Sequence, residues 1–139
     1  MNGGLSVIGD LYKTSVFDLC NWIDSDSSSS CRNDFFLPKT GEIIGSEIRD
    51  KPPSAELRPE QLDSDSLPDY FILDPILKGF IELRLPSQSL IEKGFDKKIV
   101  IKVANLLKNA EFKRYQSPPL LKISNQAFGS GWKKPIASS

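Results

Sequence analysis

The sequence predicts the mostly helical half of a larger α/β domain, with few and short strands. Three observations favour this fold class. Apolar residues recur at helical spacing in separate stretches of the chain, whereas the strand-like apolar runs are short. The 139 residues leave room for one ordinary domain. The apolar helix stripes need a partner surface, which fits one half of a larger domain.

Charge and composition exclude several classes of protein. Eighteen basic residues balance eighteen acidic ones, which gives no basic excess for nucleic acid. The apolar runs are far shorter than the roughly 20 residues that span a bilayer. We therefore expect a cytoplasmic protein that binds neither nucleic acid nor membrane.

Histidine is absent from the sequence, and Cys20 and Cys31 are its two cysteines, so there is no second cysteine pair. The usual zinc patterns and Cys–His or Ser–His catalysis are therefore excluded. Both thiols are expected to be reduced, since disulfides are rare in the cytoplasm. Any chemistry must use carboxylates, lysines and backbone amides, with or without a metal ion.

The first helix is predicted to follow a glycine-rich start. Gly3, Gly4 and Gly9 suit a backbone that bends sharply or approaches a ligand closely. Asp10 is placed to cap the helix, which is expected to end near Asp24. Its apolar face would carry Tyr12, Val16, Leu19, Cys20 and Ile23.

Residues 24–50 are predicted to form a polar insert or loop. Their serine-rich, low-complexity start cannot bury enough apolar surface to order itself. The apolar run 35–37 is expected to anchor this insert to the rest of the protein. Isoleucines at 43, 44 and 48 predict a short strand.

The middle of the chain is predicted to pass from a proline-rich loop into a helix. Three prolines within 51–59 forbid a helix there, and the loop continues over 63–66. Pro75 is compatible with the next helix only in its first turn, with Asp74 as the cap. The helical spacing there is carried by Tyr70, Leu73, Ile76, Leu77, Phe80 and Ile81.

Two more helices and a strand are predicted near the end. A short helix over 87–93 would stop at Gly94. The last helix is predicted over 96–114, and a terminal strand over 120–124. The expected buried stripe of that helix is Ile99, Val103, Leu106 and Ala110.

Three stretches carry a sequence pattern in a fixed order. They are MNGGLSVIGDLYKT at 1–14, KPPSAELRP at 51–59 followed by DSDSLPDYFILD at 63–74, and EFKRYQSPP at 111–119 followed by AFG at 127–129 and PI at 135–136. Together they resemble the glutamine-dependent NAD⁺ synthetases. The resemblance implies an ATP-pyrophosphatase (adenine nucleotide alpha hydrolase-like) fold, a parallel sheet flanked by helices.

The resemblance also implies a reaction. ATP with Mg²⁺ would adenylylate deamido-NAD⁺, and glutamine-derived ammonia would then displace AMP to give NAD⁺. The parent enzyme is expected to be a homo-oligomer.

The sequence departs from the family in several places. The phosphate loop of the Ser-Gly-Gly-x-Asp-Ser type, the Gly-Asn-Lys-Ser-Glu segment and the glutaminase domain are not found in these residues. The serine-rich insert is longer than expected, and Gly45 stands where the family often has proline. Residues 1–139 are therefore expected to be the C-terminal part of a synthetase domain that is inactive alone. The alternative is a non-catalytic remnant, or an assembly or decoy subunit.

The resemblance assigns roles to individual residues and leaves the catalytic ones unassigned. It implies that Lys13 and Ser54 bind ATP and that Lys113 binds deamido-NAD⁺. Glu56 and Arg58 would belong to a substrate loop. Structural alternatives stay open: a solvated lysine at 13, a turn serine at 54, and at 113 a cation that offsets a helix dipole.

The aspartates Asp63 and Asp65 resemble a metal pair when they are considered in isolation. Aspartate favours caps and turns, so the preferred interpretation is a solvated loop that caps the next helix. We therefore predict no metal site.

Overall fold

The computed structural model describes residues 4–53, 62–63, 66–110, 113 and 116–126. These residues contain mostly helices. Two compact units divide the chain: Lys13–Leu67, called here the α1–α3 unit, and Met1–Tyr12 with Pro68–Ser139, called the α4–α6 unit. The helices are α1 Lys13–Asp24, α2 Ser29–Asp34, α3 Ser46–Arg49, α4 Tyr70–Ile81, α5 Ser87–Glu92 and α6 Lys97–Asn109, with a 3₁₀ turn at Asp26–Ser28.

Helix α1 confirms the predicted first helix, but its start and its packing differ from the prediction. It begins at Lys13 and contains no fully buried residue. Asp10 lies three residues before this start, and its buried carboxylate accepts hydrogen bonds from the backbone amides of Ile123 and Ser124, at 2.9 and 2.8 Å. The local sequence pattern around Asp10 could not predict these partners, because Ile123 and Ser124 lie more than a hundred residues away in the chain.

Residues 24–50 were predicted as a polar insert or loop whose serine-rich start cannot order itself, and the expectation for that start was wrong. The segment holds the 3₁₀ turn, α2 and α3. The isoleucines expected to form a strand lie at the turn before α3 or within it. The run 35–37 does not anchor the insert either, since Phe35 and Phe36 are 72% and 97% exposed.

Helix α2 ends in a Schellman arrangement around Phe36. The Leu37 amide donates to the Arg32 carbonyl and the Phe36 amide donates to that of Asn33. Phe36 takes a left-handed φ of 56°, at the position where glycine is usual. The helix therefore ends in this turn without a glycine, and the sequence carries no glycine signal for the end of α2.

Helix α4 confirms the predicted element with a different cap. The Asp69 carboxylate, not that of Asp74, accepts from the Phe71 amide at 2.7 Å. Pro75 consequently lies inside the helix rather than in its first turn. Asp74 is buried in the helix interior.

The core of the α4–α6 unit is built from one face of each of its helices. Ile76 of α4 and Val100 of α6 are fully buried. Gly79 allows close packing, because a Cβ there would lie 2.6 Å from the Leu90 Cδ2. The buried core residues are Leu73, Ile76, Ile81, Leu90, Val100, Val103 and Leu107.

The buried stripe of α6 is displaced from the prediction. Val100, Val103 and Leu107 are buried, whereas Leu106 is 38% exposed. Both stripes have helical spacing, so periodicity alone left the choice of face open. The helix begins at Lys97, one residue after the predicted start, and the Asp96 carboxylate caps it by accepting from the Lys98 and Ile99 amides.

The end of α5 is confirmed at Gly94, which has a φ of 99°. The Phe95 amide donates to the Leu90 carbonyl and the Gly94 amide to that of Ile91, as in a Schellman motif.

The strand predicted over 120–124 is wrong for the described residues. They show an isolated parallel bridge between Ser6 and Leu120, with the Ser6 amide donating to the Pro119 carbonyl at 2.8 Å. Among the described helices, none is long and apolar enough to cross a membrane.

Candidate functional site

Lys13 is the first residue of α1 and is half-buried. Its ammonium lies 5.7 Å from the centroid of the Phe17 ring, which is within range of a cation–π contact. A cation at a helix N-terminus opposes the positive end of the helix dipole. An anion placed there would be attracted by both charges, and both interpretations of Lys13 stay predictions.

Ser54, Glu56 and Arg58 lie outside the described residues. The structure does describe the residues just before and after them. The Asp63 amide donates to the Pro53 carbonyl at 3.0 Å, so these two positions are in direct contact.

Asp63 takes part in a turn. Its carbonyl accepts from the amides of Ser66 and Leu67, at 3.2 and 2.9 Å. Asp65 lies outside the described residues, so the interpretation of the pair stays a prediction. Within the residues that the structure covers, no group of three or more His, Cys, Asp or Glu side chains could hold a metal ion.

Lys113 is exposed and belongs to the α4–α6 unit, whereas Lys13 belongs to the α1–α3 unit. Its amide donates to the Ala110 carbonyl at 3.0 Å. Helix α6 ends before it, at Asn109. Lys113 itself has helical backbone, so the dipole interpretation stays open beside the substrate-binding one.

The sequence analysis missed an ion cluster at the end of α1. The Asp24 carboxylate accepts from three consecutive backbone amides, those of Ile43, Ile44 and Gly45, at 2.8, 2.9 and 3.1 Å. It also pairs with the Arg49 guanidinium at 2.7 Å. We call this arrangement the Asp24 clamp.

The clamp perturbs the ionisation of both partners. The hydrogen bond from the Ile44 amide is the main cause that lowers the pKa of Asp24; burial opposes it, and the Ile43 and Gly45 amides and the Arg49 charge add to it. A hydrogen bond to Glu42, at 3.1 Å, raises the pKa of Arg49. The clamp is therefore fully charged at neutral pH.

Arg32 is a second missed residue, 3% exposed in the serine-rich segment. Its Nε donates to the Ser28 hydroxyl at 2.8 Å. That hydroxyl donates in turn to the Ile23 carbonyl at 2.7 Å, which is one of the carbonyls left without a partner at the end of α1. The guanidinium also donates to the carbonyls of Ile23, Ser25, Pro38 and Gly41.

Tyr12 lies directly before α1 and is half-buried. Burial raises the pKa of Tyr12, and the neighbouring Glu82 carboxylate, to which it is hydrogen-bonded, raises it further. The hydroxyl therefore stays protonated at neutral pH and joins the N-terminal segment to the residue that follows α4.

Both thiols are free: Cys20 is half-buried and Cys31 is exposed.

The class of protein follows from comparison with known families. The model of the NAD synthase family matches residues 1–117, which is most of the chain. The chain therefore belongs to the NAD synthase family. This confirms the resemblance that the three sequence stretches carried.

Particular relatives agree with this assignment. The glutamine-dependent NAD(+) synthetase of Synechocystis sp. is 43% identical over 139 residues, which are 100% of this chain and 22% of that protein. The corresponding protein of Thermotoga maritima is 41% identical over 138 residues, 99% of this chain and 22% of that protein. The chain thus spans about a fifth of the length of the curated relatives it matches.

A solved structure is also similar, that of glutamine-dependent NAD+ synthetase from Acinetobacter baumannii in complex with adenosine diphosphate. It has a TM-score of 0.49 and 31% identity, and the match covers 91% of this chain and 19% of that chain.

Proposed function

We propose that the chain forms part of an enzyme that converts deamido-NAD⁺ to NAD⁺. ATP would activate the carboxylate of deamido-NAD⁺ by adenylylation, and ammonia from glutamine would displace AMP. The observation that carries this proposal is the 43% identity over the whole chain to a glutamine-dependent NAD(+) synthetase. An ATP-pyrophosphatase fold, a cytoplasmic location and a homo-oligomeric parent enzyme belong to the same proposal.

In this proposal Lys13 binds the phosphates of ATP. Its half-buried ammonium stands at the start of α1, where its charge and the helix dipole act on an anion in the same direction. Ser54 would contribute a further ATP contact, with Glu56 and Arg58 as its neighbours in the substrate loop. Lys113 would face deamido-NAD⁺, which carries a pyrophosphate and a carboxylate.

Mg²⁺ is expected to accompany ATP in the parent enzyme. The described residues provide no cluster of protein ligands for a metal ion. We therefore propose no role in Mg²⁺ binding for these residues.

A chimeric enzyme tests the proposal. The 139 residues would replace the matching residues of the Synechocystis relative, and NAD⁺ formation from deamido-NAD⁺, ATP and glutamine would be measured. We expect turnover, and we expect Lys13→Met to raise the KM for ATP about tenfold or more, the loss typical of one charge-assisted contact. A folded chimera without turnover would contradict the proposal and favour the non-catalytic alternative.

A further inference from the structure

Helix α1 carries a candidate ligand contact at one end and the Asp24 clamp at the other. Lys13 is its first residue and Asp24 is its last. Twelve residues of helix span about 18 Å, so the two ends are held at a fixed separation. Whatever Asp24 binds is therefore fixed relative to Lys13.

What Asp24 binds is the backbone that leads toward the proline-rich segment. Three successive amides, at 43, 44 and 45, converge on one carboxylate whose side chain is 3% exposed. Such a run of backbone amides forms an anion-binding concavity. Here the anion belongs to the protein itself, so the concavity holds this backbone against the end of α1.

Arg49 extends the clamp to the end of α3. Its Nη1 binds Asp24 at 2.7 Å and its Nη2 binds Glu42 at 3.1 Å. The Glu42 carboxylate also accepts from the Ser46 amide at 3.1 Å. The backbone from residue 42 to residue 49 is thus held at both of its ends.

The backbone between Arg49 and Pro53 is restrained, because the amides of Asp50 and Lys51 donate to carbonyls of α3 at 2.8 and 3.4 Å. Pro52 and Pro53 have fixed φ angles, and the residue before each proline is restricted as well. The Pro53 carbonyl then accepts from the Asp63 amide at 3.0 Å. The orientation set at Arg49 is therefore passed to Pro53 with little freedom.

We propose that Asp24 and Arg49 are positioning residues for ATP, which fix the backbone at 51–53 relative to Lys13. This inference rests on the proposed function. Neither residue contacts the nucleotide; both act through the chain that they hold.

The test uses the same chimera with the variants Asp24→Asn and Arg49→Met. Asparagine cannot accept from three amides and an arginine at once, because one of its two terminal atoms is a donor. We expect each variant to raise the KM for ATP about tenfold, as misplacement of a binding group does. The KM for deamido-NAD⁺ and the kcat should change by less than about twofold on the same argument.

Rescue and matched controls separate positioning from plain loss of stability. Arg49→Lys keeps the charge opposite Asp24 and should recover part of the affinity for ATP. Asp18→Asn on α1 and Glu47→Gln on α3 each remove an exposed carboxylate from the same helices, and they should leave both KM values unchanged.

The outcomes distinguish the two proposals. An active chimera in which Asp24→Asn and Arg49→Met lower the melting temperature but leave the KM for ATP unchanged would overturn the positioning role alone. An equal rise in both KM values would overturn it as well. A folded chimera that is inactive before any substitution would contradict the proposed function, and the positioning role would fall with it.

Discussion

Lys113 has an exposed side chain and lies beyond the last residue of α6. In the chimeric enzyme, we expect Lys113→Met to raise the KM for deamido-NAD⁺ far more than that for ATP. Methionine keeps most of the stem and removes the charge that would face the dinucleotide. Loss of a hydrogen bond to a charged group costs about 1.5–3 kcal/mol, which is about tenfold to a hundredfold in affinity.

Steady-state kinetics and a thermal melt distinguish this from a structural role for Lys113. A lysine that only offsets a helix dipole contributes about 0.3–1 kcal/mol to stability. A lowered melting temperature with unchanged KM values would therefore assign Lys113 to structure.

Arg32 gives a stability prediction that does not depend on any activity. Arg32→Met should lower the free energy of unfolding by about 3 kcal/mol, because the buried Ser28 hydroxyl and several part-buried carbonyls would lose their donor. Urea unfolding followed by circular dichroism measures the change. Lys39→Met, an exposed cation in the same segment, is the matched control and should change stability by less than about 0.5 kcal/mol. An Arg32→Met variant as stable as the control would show that the buried guanidinium has no structural role.

Sequence reasoning predicted charged residues for binding and missed those that build structure. Lys13 and Lys113 were singled out because a family pattern contains them. Asp24 and Arg32 were overlooked because their partners are backbone amides and carbonyls, which every residue carries. One usable signal was present: an acidic residue at the end of a predicted helix is unfavourable for the dipole, and so Asp24 needed another partner.

At the scale of elements, the Asp24 clamp predicts a pH dependence of stability. The pKa of Asp24 is lowered below its ordinary value of 3.8. The carboxylate therefore stabilises the folded state fully at pH values above the unfolded pKa, and this contribution is lost as the pH falls through the folded pKa. The charged groups around it are Arg49, which it faces, and Glu42 and Asp50, which both face Arg49.

The measurement is urea unfolding between pH 7 and about pH 3, which begins above the unfolded pKa and extends into the range where protonation of this carboxylate starts to reduce stability. The difference in free energy of unfolding between the unchanged chain and Asp24→Asn should be constant near neutrality and shrink below about pH 4. Asp18→Asn controls for the loss of one negative charge from α1. A difference that stays constant to pH 3 would contradict the pH dependence.

The helices with strong local signals were predicted well. The stop of α5 at Gly94 was predicted, and the start of α6 was predicted to within one residue, because such signals act over a few residues and are visible in the sequence. The predicted buried stripe of α6 was right at Val103 and wrong at Leu106, and the strand over 120–124 was wrong. Both depend on packing against distant segments, which periodicity does not specify.

At the scale of the whole molecule, many large apolar side chains are exposed. We expect the 139-residue chain to associate in solution, since exposed apolar surface favours contact between copies. Size-exclusion chromatography with light scattering should give masses that rise with concentration above the 15.5 kDa of one chain. Phe36→Ser, at the most exposed position, should reduce this association. The exposed set includes Leu5, Val7, Ile8, Trp22, Phe35, Phe36, Phe71, Leu83 and Ile123.

A chain that stays at 15.5 kDa at every concentration and melts cooperatively would contradict the predicted association.

The 139-residue chain by itself should form no NAD⁺ from deamido-NAD⁺, ATP and ammonia, even with Mg²⁺. Its sequence contains no phosphate loop of the Ser-Gly-Gly-x-Asp-Ser type, and adenylyl transfer depends on groups that clamp the phosphates. The measurement is NAD⁺ formation by highly purified chain against a protein-free control. Turnover above that control would show that these residues suffice.

The contacts of Arg32 also indicate where this protein tolerates chemical modification. The guanidinium reaches carbonyls at 23, 25, 38 and 41, so the serine-rich stretch closes on itself. A stretch whose polar groups are hydrogen-bonded within it tolerates substitution or chemical modification, because its hydrogen bonds do not depend on a distant segment. Cys31 stands exposed in the middle of it. A fluorescent reporter attached to that thiol would be held on the ordered helix α2, within the same compact unit as the Asp24 clamp.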